Sequence, residues 1–599
     1  MCGIAGAINY SKYNLEAIKT SLYHRGPDEQ EIYIKDELAL IHTRLAIQDI
    51  ADGHQPFHYQ NYSIVFNGEI YNHLELRSQL EEFSFKTTSD TETLLYLYIK
   101  FKEKCFEMCD GMFAFSIINY ETNQLILARD RAGKKPLYFY KDSDSLLFAS
   151  ELNAIKAGVS KLDIDEEAIS SYLRAGFFYS KYTPFKDVEE VDAGSFYEID
   201  INSLELTKHK FFDIEEFYNR PSSMNFEESL KSVDDALRKS VKDRLTSSDL
   251  EVGAFLSGGI DSSLIVAIAS EYKDNLKTFT VKFDGAYDES YLASLTAKKY
   301  NTQHHTIDIS MNVKDDLEKI LFNYGMPFMD SSAIPSYYVS QEAKKHVSVI
   351  LNGDGADEIF GGYRRYVPIA NNIIGLASKF SFLLNIMPIA NNKKSLYSHI
   401  YRLLSMSNKK GLDFYLSATS DLFEDSYKFK SNHILDEMDT FINSCRLKGL
   451  SKQLYLDFKM LLLSDLLVKM DIATMAHSLE GRSPFLSKYM LELAPTLQDS
   501  FKIKGKSTKY ILRELSKKYL PKELITQPKR GFEIPLKRWV ENDLSSNIND
   551  VLSSNSYSST FIENDFIQKL LNKRIVVSDE KRAKMLWDMY CLEVWKKNL

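Results

Sequence analysis

A change in the pattern of predicted secondary structure partway along the chain constrains its fold more than any other feature. Residues 1–212 contain many short β-type runs and few helical patterns. Strands are predicted at Ile32–Ile34, Leu38–His42, Ser63–Phe66, Phe113–Ile118, Gln124–Ala128, Leu137–Tyr140, Leu146–Ala149 and Ser195–Ile199, with helices at Asn72–Leu80 and Thr91–Phe101. Many short strands with few helices favour stacked antiparallel sheets.

Strands and helices alternate beyond Asn225. The predicted elements are, in order, helix Phe226–Leu245, strand Val252–Leu256, helix Ser263–Tyr272, strand Thr278–Phe283, helix Glu289–Tyr300, strand His304–Ile309, helix Ser336–Lys345 and strand Val347–Asn352. Alternation of this kind predicts a parallel sheet with crossover helices. Residues 213–225, which include Pro221-Ser222-Ser223, are predicted to link two domains, residues 1–212 and 226–599.

Composition excludes several classes of protein. The chain has 599 residues and a formal net charge of −9, which argues against a nucleic-acid-binding surface. Five scattered cysteines favour a reducing compartment, and no signal peptide is recognised, so a cytoplasmic protein is expected. The most apolar stretch, Ile369–Ile389, is interrupted by polar residues and predicts buried helices rather than a membrane span. Neither a nucleic acid nor a membrane is expected as a partner.

Cys2 is the first candidate catalytic residue. Removal of Met1 would place a thiol and a free α-amine on one residue. The amine titrates near about 8 and the thiol near about 8.5, so one residue can supply both the base and the nucleophile. This pairing is the logic of N-terminal nucleophile enzymes.

The first domain also carries groups that a thiol attacking a carboxamide would need. Arg44 offers a fork suited to a carboxylate, and Asp90 offers an acceptor for an ammonium group. The side-chain amide of Asn67 and the N–H of Gly68 can converge on one oxyanion. The pattern predicts a site that hydrolyses an amino-acid amide.

The motifs of this half resemble those of class II glutamine amidotransferases, and more narrowly those of glutamine-hydrolysing asparagine synthetases. They are Cys2-Gly3-Ile4, the run HRGPD from His24, the run NGEIYN from Asn67, the run SDTE from Ser89, the run GMFAF from Gly111 and the run RDRAGKKPLY from Arg129. Taken alone, HRGPD could be only a tight turn, and Arg129-Asp130 could be only a packed ion pair. The resemblance implies Cys2 as the nucleophile, Asn67 and Gly68 as the oxyanion hole, and glutamine contacts at Arg44, Leu45, Ala46, Ile47, Gln48, Asn67, Gly68, Glu69 and Asp90.

A second candidate site follows strand Val252–Leu256, where Ser257-Gly258-Gly259-Ile260-Asp261-Ser262-Ser263 opens a helix. Glycines allow close approach of the backbone to an anion, and the helix N-terminus and hydroxyl groups can hold phosphate. The loop lacks a Gly-Lys-Ser/Thr ending. It resembles the pyrophosphate loop of ATP-pyrophosphatases, which form acyl-adenylates.

The run from Asn352 to Tyr363 lies at a strand's carboxyl end, the ligand edge of a parallel sheet, although alone it could be a solvated turn. It resembles the second signature of the same enzymes. The resemblance implies Asp354 and Lys509 as catalytic residues and Mg²⁺ ligands at Asp261 and Asp357. The implied ATP contacts are Phe255, Ser257, Gly258, Gly259, Asp261, Ser262, Ser263, Val281, Asn352 and Gly353. Without this context, Lys509 would be interpreted as a solvated lysine.

Together the two halves resemble an asparagine synthetase. The resemblance implies an N-terminal α+β sandwich of the N-terminal-nucleophile type and a C-terminal α/β ATP-pyrophosphatase domain with extra helices. It also implies glutamine, ATP and aspartate as substrates, Mg²⁺ as cofactor, a shielded route for ammonia and a possible homodimer. The acceptor-side motif departs from the family pattern at Ile472, Gly481, Ser483 and Ser487. Another carboxylate, such as a uronic-acid sugar of a surface polysaccharide, is therefore the alternative acceptor.

Two alternatives from other classes stay open. A self-processing N-terminal-nucleophile hydrolase would explain Cys2 but would leave the Ser257–Ser263 loop without a role. A nucleotide-binding regulatory protein with an inactive glutaminase would require that Met1 is retained, because a blocked Cys2 amine cannot act as the base.

Overall fold

The structure is a computed structural model, and it describes residues 2–282, 288–308, 313–388, 395–423, 432–526, 534–553 and 555–599. Its strands are β1 Gly3–Ile8, β2 Glu29–Lys35, β3 Leu38–Arg44, β4 Phe57–Tyr59, β5 Tyr62–Ile70, β6 Gly111–Asn119, β7 Gln124–Arg129, β8 Tyr138–Lys141, β9 Leu146–Ala149, β10 Val188–Glu190, β11 Ser195–Asp200, β12 Leu206–Lys210, β13 Val252–Phe255, β14 Lys277–Lys282, β15 Gln303–Asp308, β16 Val349–Leu351 and β17 Glu480–Arg482.

The helices follow the same division into two halves. Those before the second domain are α1 Leu15–Ser21, α2 His73–Arg77, α3 Asp90–Phe101, α4 Cys105–Met108, α5 Leu152–Gly158, α6 Glu166–Ala175 and α7 Ile214–Tyr218. Those of the second half are α8 Phe226–Thr246, α9 Ile260–Ala269, α10 Ser290–Lys299, α11 Val313–Phe322, α12 Ala333–Lys344, α13 Ala356–Phe360, α14 Tyr366–Ala370, α15 Ile373–Ser378, α16 Leu396–Ser407, α17 Gly411–Ala418, α18 His433–Ser444, α19 Gly449–Leu456, α20 Leu467–Met475, α21 Lys488–Leu493, α22 Asp499–Lys502, α23 Tyr510–Tyr519, α24 Lys522–Thr526, α25 Leu536–Arg538, α26 Ser545–Val551, α27 Asn564–Leu571 and α28 Asp579–Lys597.

Two antiparallel sheets form the first half, as predicted. Sheet 1 has the strand order β10-β8-β9-β1-β3-β2 and sheet 2 the order β12-β11-β7-β6-β5-β4. An apolar cluster that includes Ile4, Leu40, Val65 and Leu127 joins strands of the two sheets. Sheet 2 also packs its other side against α3, through Phe115 and neighbouring side chains. The strand that begins beside Cys2 is therefore enclosed within the sandwich.

A parallel sheet forms the second half, also as predicted, with the order β15-β14-β13-β16-β17. Its strands pair in parallel throughout the described residues, for example Ala254 with Leu351. Helix α9 begins at Ile260, three residues before the predicted start, so the helix takes in the end of the Ser257–Ser263 loop. The segment predicted as a linker contains α7, whose N-cap is Asp213.

The prediction of buried helices at Ile369–Ile389 is wrong for the part of this stretch that the structure describes. Helix α15 has no buried residue, and Leu376, Phe380 and Phe382 are exposed. The sequence is apolar enough for a core, but α15 packs mainly on α14 and α16 and leaves its outer face uncovered. Ile389 itself lies outside the described residues.

Candidate active sites

Cys2 lies in a buried position immediately before β1. Its backbone nitrogen donates to Asn67 Oδ1 at 3.2 Å, so the atom that would become the α-amine faces a side chain of β5. Burial raises the pKa of the Cys2 thiol, while a hydrogen bond from the Leu45 N–H and the charge of Arg44 oppose this shift. The thiol and its own nitrogen thus sit together in a water-poor site.

Asn67 and Gly68, the predicted oxyanion hole, lie next to each other on β5. Asn67 is fully buried, and its Nδ2 has no hydrogen-bond partner among the described residues. A Cβ at Gly68 would lie 2.2 Å from the Met112 carbonyl oxygen, so only glycine fits. An unpaired buried donor beside a thiol is available to an oxygen that gains negative charge.

The predicted glutamine contacts Arg44–Gln48 lie at the end of β3 and just after it, and the Leu45 N–H bonds the Cys2 thiol. Arg44 donates to Glu29 Oε2 at 3.1 Å and to the Asp49 carbonyl at 2.6 Å, which fixes its guanidinium in place. The Ala46 N–H donates to Asp28 Oδ2 at 2.9 Å. These bonds tie residues 44–49 to one another and to the neighbouring residues Asp28 and Glu29.

Asp90 begins α3 and contacts both β5 and the residues after β3. It accepts from the Ile70 N–H at 2.8 Å, and its own N–H donates to Gln48 Oε1 at 3.2 Å. Burial raises the pKa of Asp90 to about 7, although the Ile70 hydrogen bond acts against this shift. Burial, with Asp90 nearby, also raises the pKa of Glu69. The pocket thus holds two carboxyl groups that are poorly solvated.

The second site is built at the end of β13. Ser257 Oγ lies 2.9 Å from Ser262 Oγ, and the Gly259 N–H donates to Ser257 Oγ at 3.2 Å. These bonds close the loop over the start of α9. Ser263 differs, because its hydroxyl is fully buried and accepts from Thr296 Oγ1 at 3.3 Å. The Ser263 hydroxyl therefore faces α10, and this placement does not support its prediction as an ATP contact.

Lys509 joins the two carboxylates predicted as metal ligands. Its Nζ lies 2.6 Å from Asp261 Oδ2 and 2.6 Å from Asp357 Oδ1. Lys509 is buried and precedes α23 with a φ of 49°. A Cβ at Gly362 would lie 1.6 Å from Asp357 Oδ1, so this glycine makes room for the ion pair. Within the described ranges, no group of three or more His, Cys, Asp or Glu side chains is arranged to hold a metal ion.

The residues after β16 adjoin this ion pair. A Cβ at Gly353 would lie 3.4 Å from the Cβ of Asp261, which places the two loops in contact. Asn352 accepts from Ser483 Oγ at 2.7 Å. Asp354 Oδ2 lies 3.1 Å from Lys134 Nζ, and Lys134 belongs to the first domain. The second site is therefore completed by a lysine from the first half of the chain.

Further buried ion pairs continue from Lys134 to Cys2. Lys135 Nζ lies 2.7 Å from Asp471 Oδ1, and Arg25 Nη1 lies 2.9 Å from Asp471 Oδ2. Arg25 also bonds Glu151 at 2.7 Å and donates from Nε to the Cys2 carbonyl at 3.2 Å. Burial acts to raise the pKa of Asp471, but the two cations hold it below its ordinary value. We call Arg25, Lys135, Glu151 and Asp471 the domain-joining cluster.

Strand β17 makes a second connection. Arg482 Nη2 lies 3.1 Å from Glu69 Oε2, beside Gly68, and the Arg482 carbonyl accepts from the Asn352 N–H at 2.9 Å. Arg482 also bonds Glu480 at 2.6 Å, and all three side chains are buried. One residue of β17 thus touches the walls of both sites.

Comparison with known proteins agrees with the two-domain layout. The sequence profile of the family described as "Asparagine synthase" matches residues 232–597, and that of the "Glutamine amidotransferase domain" matches residues 1–212. "Asparagine synthetase [glutamine-hydrolyzing] 1" of Bacillus subtilis is 33% identical over 99% of this chain and 96% of its own length. The chain belongs to the glutamine-hydrolysing asparagine synthetase family.

Other members of the family match less of the chain or at lower identity. "Putative asparagine synthetase [glutamine-hydrolyzing] 2" of Methanocaldococcus jannaschii is 35% identical, covering 61% of this chain and 76% of its own length. "Asparagine synthetase [glutamine-hydrolyzing] 3" of Bacillus subtilis is 29% identical, covering 89% of this chain and 87% of its own length.

In this family member, the structure brings most of the predicted residues into two groups. Cys2, Arg44–Gln48, Asn67–Glu69 and Asp90 line one, while the Ser257–Ser262 loop, Asn352–Asp354, Asp357 and Lys509 line the other. Phe255 and Val281 pack in one apolar cluster, on the neighbouring strands β13 and β14. The sequence analysis identified HRGPD and RDRAGKKPLY as family motifs but assigned no role to Arg25, Lys134 or Lys135. The structure shows that these three side chains form ion pairs with the second domain.

Proposed function

We propose that the chain amidates the side-chain carboxylate of aspartate to asparagine, using ATP and ammonia from glutamine, and releases AMP and pyrophosphate. Residues 1–212 hydrolyse glutamine and residues 226–599 activate the acceptor. The observation that carries this proposal is the domain-joining cluster, whose buried ion pairs connect the Cys2 backbone to a site completed by Lys134. Two unrelated activities would not require so costly a buried connection.

Glutamine hydrolysis begins at the mature Cys2. The α-amine takes the thiol proton, and the sulfur attacks the glutamine carboxamide carbon. Asn67 Nδ2 and the Gly68 N–H stabilise the oxyanion, since Asn67 Nδ2 is otherwise unpaired in the described structure. Arg44 and Asp90 bind the carboxylate and ammonium groups of glutamine. Ammonia leaves, and water releases glutamate from the thioester.

Acceptor activation uses the second site. The Ser257–Ser262 loop and the start of α9 bind the β- and γ-phosphates of ATP, while Phe255 and Val281 lie by the adenine. Asp261 and Asp357 offer carboxylate oxygens suited to Mg²⁺, and they converge on the single cation Lys509. When bound, Mg²⁺ neutralises phosphate charge. Lys509 stabilises the charge that develops as the acceptor carboxylate attacks the α-phosphate, giving an acyl-adenylate and pyrophosphate.

Ammonia then attacks the acyl-adenylate and displaces AMP. In bulk water ammonia would be protonated and would lose its nucleophilicity. The walls between the sites are buried, and they carry polar atoms such as Asn67 Nδ2, Glu69 Oε1 and Asn352 Nδ2 that have no partner in the described structure. A shielded route along these walls would deliver ammonia before it is protonated.

A second acceptor is supported by one observation. Ser483 stands where the family pattern has a larger apolar residue, and its hydroxyl lies 2.7 Å from Asn352 Oδ1 and 3.4 Å from Asp354 Oδ2. A hydroxyl at this position could form a hydrogen bond with a different acceptor, such as a uronic-acid sugar. Aspartate is preferred because Lys469, paired with Asp330 at 2.8 Å, keeps a partly buried cation in the same motif.

The test is a screen of carboxylates for pyrophosphate release that depends on both glutamine and ATP. Saturation by aspartate, with asparagine as the product, is the expected result. Turnover with a uronate and none with aspartate would identify the uronate, rather than aspartate, as the acceptor. Glutamate release without pyrophosphate formation, for every carboxylate tested, would contradict the synthetase proposal itself.

A further inference from the structure

A helical hairpin in the second domain exposes an unusual amount of apolar surface. It comprises α15, the 3-10 helix Ser381–Asn385 and α16, and both of the first two pack on α16. We call it the apolar hairpin. Its exposed large apolar side chains are Ile373, Leu376, Phe380, Phe382, Ile386, Leu396, Tyr397 and Ile400. Clusters of this kind on soluble proteins mark interaction surfaces.

The charge of this region is opposite to that of the chain. Residues 359–412 contain no Asp or Glu, although the whole chain has a formal net charge of −9. Their eight basic residues are Arg364, Arg365, Lys379, Lys393, Lys394, Arg402, Lys409 and Lys410. Lys379 and Arg402 are exposed on the hairpin itself, whereas Lys393 and Lys394 lie outside the described residues. Cations that flank exposed apolar side chains are the signature of an interfacial helix.

We propose that the apolar hairpin docks this enzyme on the surface of a membrane rich in anionic lipids. Phe382 and Ile386, 64% and 78% exposed, would enter the boundary between head groups and acyl chains. Lys379 and Arg402 would meet the lipid phosphates, each adding about fivefold to the affinity. Apolar insertion and charge attraction thus favour the same partner.

Charge complementarity argues against a second copy of the chain as the occupant. A two-fold symmetric dimer through the hairpin would place the same basic surface opposite itself. Two sets of like charges would repel, and no acidic residue within 359–412 could compensate. An anionic bilayer has the complementary charge.

Docking of this kind needs no transmembrane segment. No helix of the described residues is long and apolar enough to cross a membrane. An interfacial helix lies in the plane of the bilayer and buries only one face, to a depth of about 5–10 Å. The expectation that a membrane is not a partner relied on the lack of a span, and it does not extend to surface docking.

Vesicle flotation of the full chain tests the proposal. The protein is expected to float with vesicles of phosphatidylglycerol and phosphatidylcholine, but not with phosphatidylcholine alone, and salt should weaken binding. The double variants F382S/I386S and K379E/R402E should each reduce partitioning at least about tenfold. Glutamine hydrolysis and pyrophosphate exchange of both variants should be unchanged, which shows that they fold.

Matched controls change similar side chains elsewhere. Leu74→Ser with Tyr291→Ser removes two side chains that are each 68% exposed, and Lys161→Glu with Lys597→Glu reverses two exposed charges. Both controls should float like the unchanged protein. Failure of the unchanged protein to float, or equal loss in the controls, would overturn the proposal. A dimer that the hairpin variants convert to monomer, without vesicle binding, would assign the surface to a second copy instead.

Discussion

Arg25 links Cys2 to the synthetase domain: its Nη1 lies 2.9 Å from Asp471 Oδ2, and its Nε donates to the Cys2 carbonyl. The side chain of Arg25 is completely buried and has no contact with solvent. Asp471 also binds Lys135, the neighbour of the lysine that reaches Asp354. The backbone of the nucleophile and the carboxylate of the second site are therefore connected through a few buried charges.

Asp471→Asn tests this connection. It leaves Arg25 and Lys135 facing a neutral amide, and breaking a buried ion pair lowers the free energy of unfolding by about 3–5 kcal/mol. We expect more glutamate than amide product, because the domains no longer hold the ammonia route closed. Denaturant unfolding and the ratio of the two products measure these effects. The control is Asp565→Asn, in an exposed pair with Lys569. It should change the free energy of unfolding by no more than about 0.5 kcal/mol and should leave the ratio of glutamate to amide product unchanged. Unchanged stability and a ratio of one in Asp471→Asn would refute the structural role of the cluster.

Asn67→Asp tests the oxyanion hole. The substitution keeps the size of the side chain and the acceptor for the Cys2 nitrogen, but it removes the Nδ2 donor. The kcat of glutamine hydrolysis should fall by about 100- to 1,000-fold, while synthesis from added ammonia continues. Asn123→Asp, at an exposed position with a φ of 52°, is the control. Wild-type hydrolysis by Asn67→Asp would exclude Nδ2 from the reaction.

The pKa of Asp90, raised to about 7, predicts a pH-dependent KM for glutamine. The ionised carboxylate is the form that binds the substrate ammonium, so KM should rise up to about tenfold per pH unit below 7. Because the folded pKa lies above the ordinary value of 3.8, stability from the protonated form is complete below about pH 4 and is lost as pH rises to 7. Glutaminase kinetics between about pH 6 and 8 measure the first effect.

Asp90→Asn supplies the comparison for that pH profile. Its KM should be high and nearly independent of pH, whereas Asp36→Asn, in an exposed turn, should reproduce the unchanged enzyme. A KM for glutamine that does not vary with pH in the unchanged enzyme would remove Asp90 from substrate binding.

Lys509→Met tests the second site separately. Asp261 and Asp357 would lose the cation that both contact at 2.6 Å, and the developing phosphate charge would lose its partner. Exchange between ATP and labelled pyrophosphate should fall at least about 100-fold, with glutamine hydrolysis retained. Lys506→Met, three residues earlier and exposed, should keep full exchange. Normal exchange in Lys509→Met would contradict the assignment of Lys509.

The fold class follows from the sequence because strand and helix periodicities are local properties. The antiparallel and parallel halves were predicted, but the strands β1, β4, β10, β12 and β17 were not. Gly3–Ile8 has only two strong β-formers, Ile4 and Ile8, among glycines and alanines, and it is buried on both faces, so it shows no polar alternation. Glu480–Arg482 is charged, and its strand is stabilised by buried ion pairs with distant residues.

The candidate sites were predicted through their motifs, but not through the contacts between them. The proposed roles of Cys2, Asn67 and the Ser257–Ser262 loop can be inferred from their residue types and spacing alone. The partners of Lys134, Lys135 and Arg25 lie hundreds of residues away in sequence, and no local pattern specifies such pairs. The exposure of the apolar hairpin was missed for the same reason, since burial depends on which elements pack nearby.

The most direct test of the whole account follows the nitrogen atom. The enzyme is given glutamine labelled with ¹⁵N in the side-chain amide, together with excess unlabelled ammonium, ATP and the acceptor. We predict that the amide product carries the ¹⁵N label in far greater proportion than the dissolved ammonia does. Cys2→Ala should form only unlabelled product from ammonium. A product whose label matches the dissolved ammonia pool would contradict the claim that the two sites work in series.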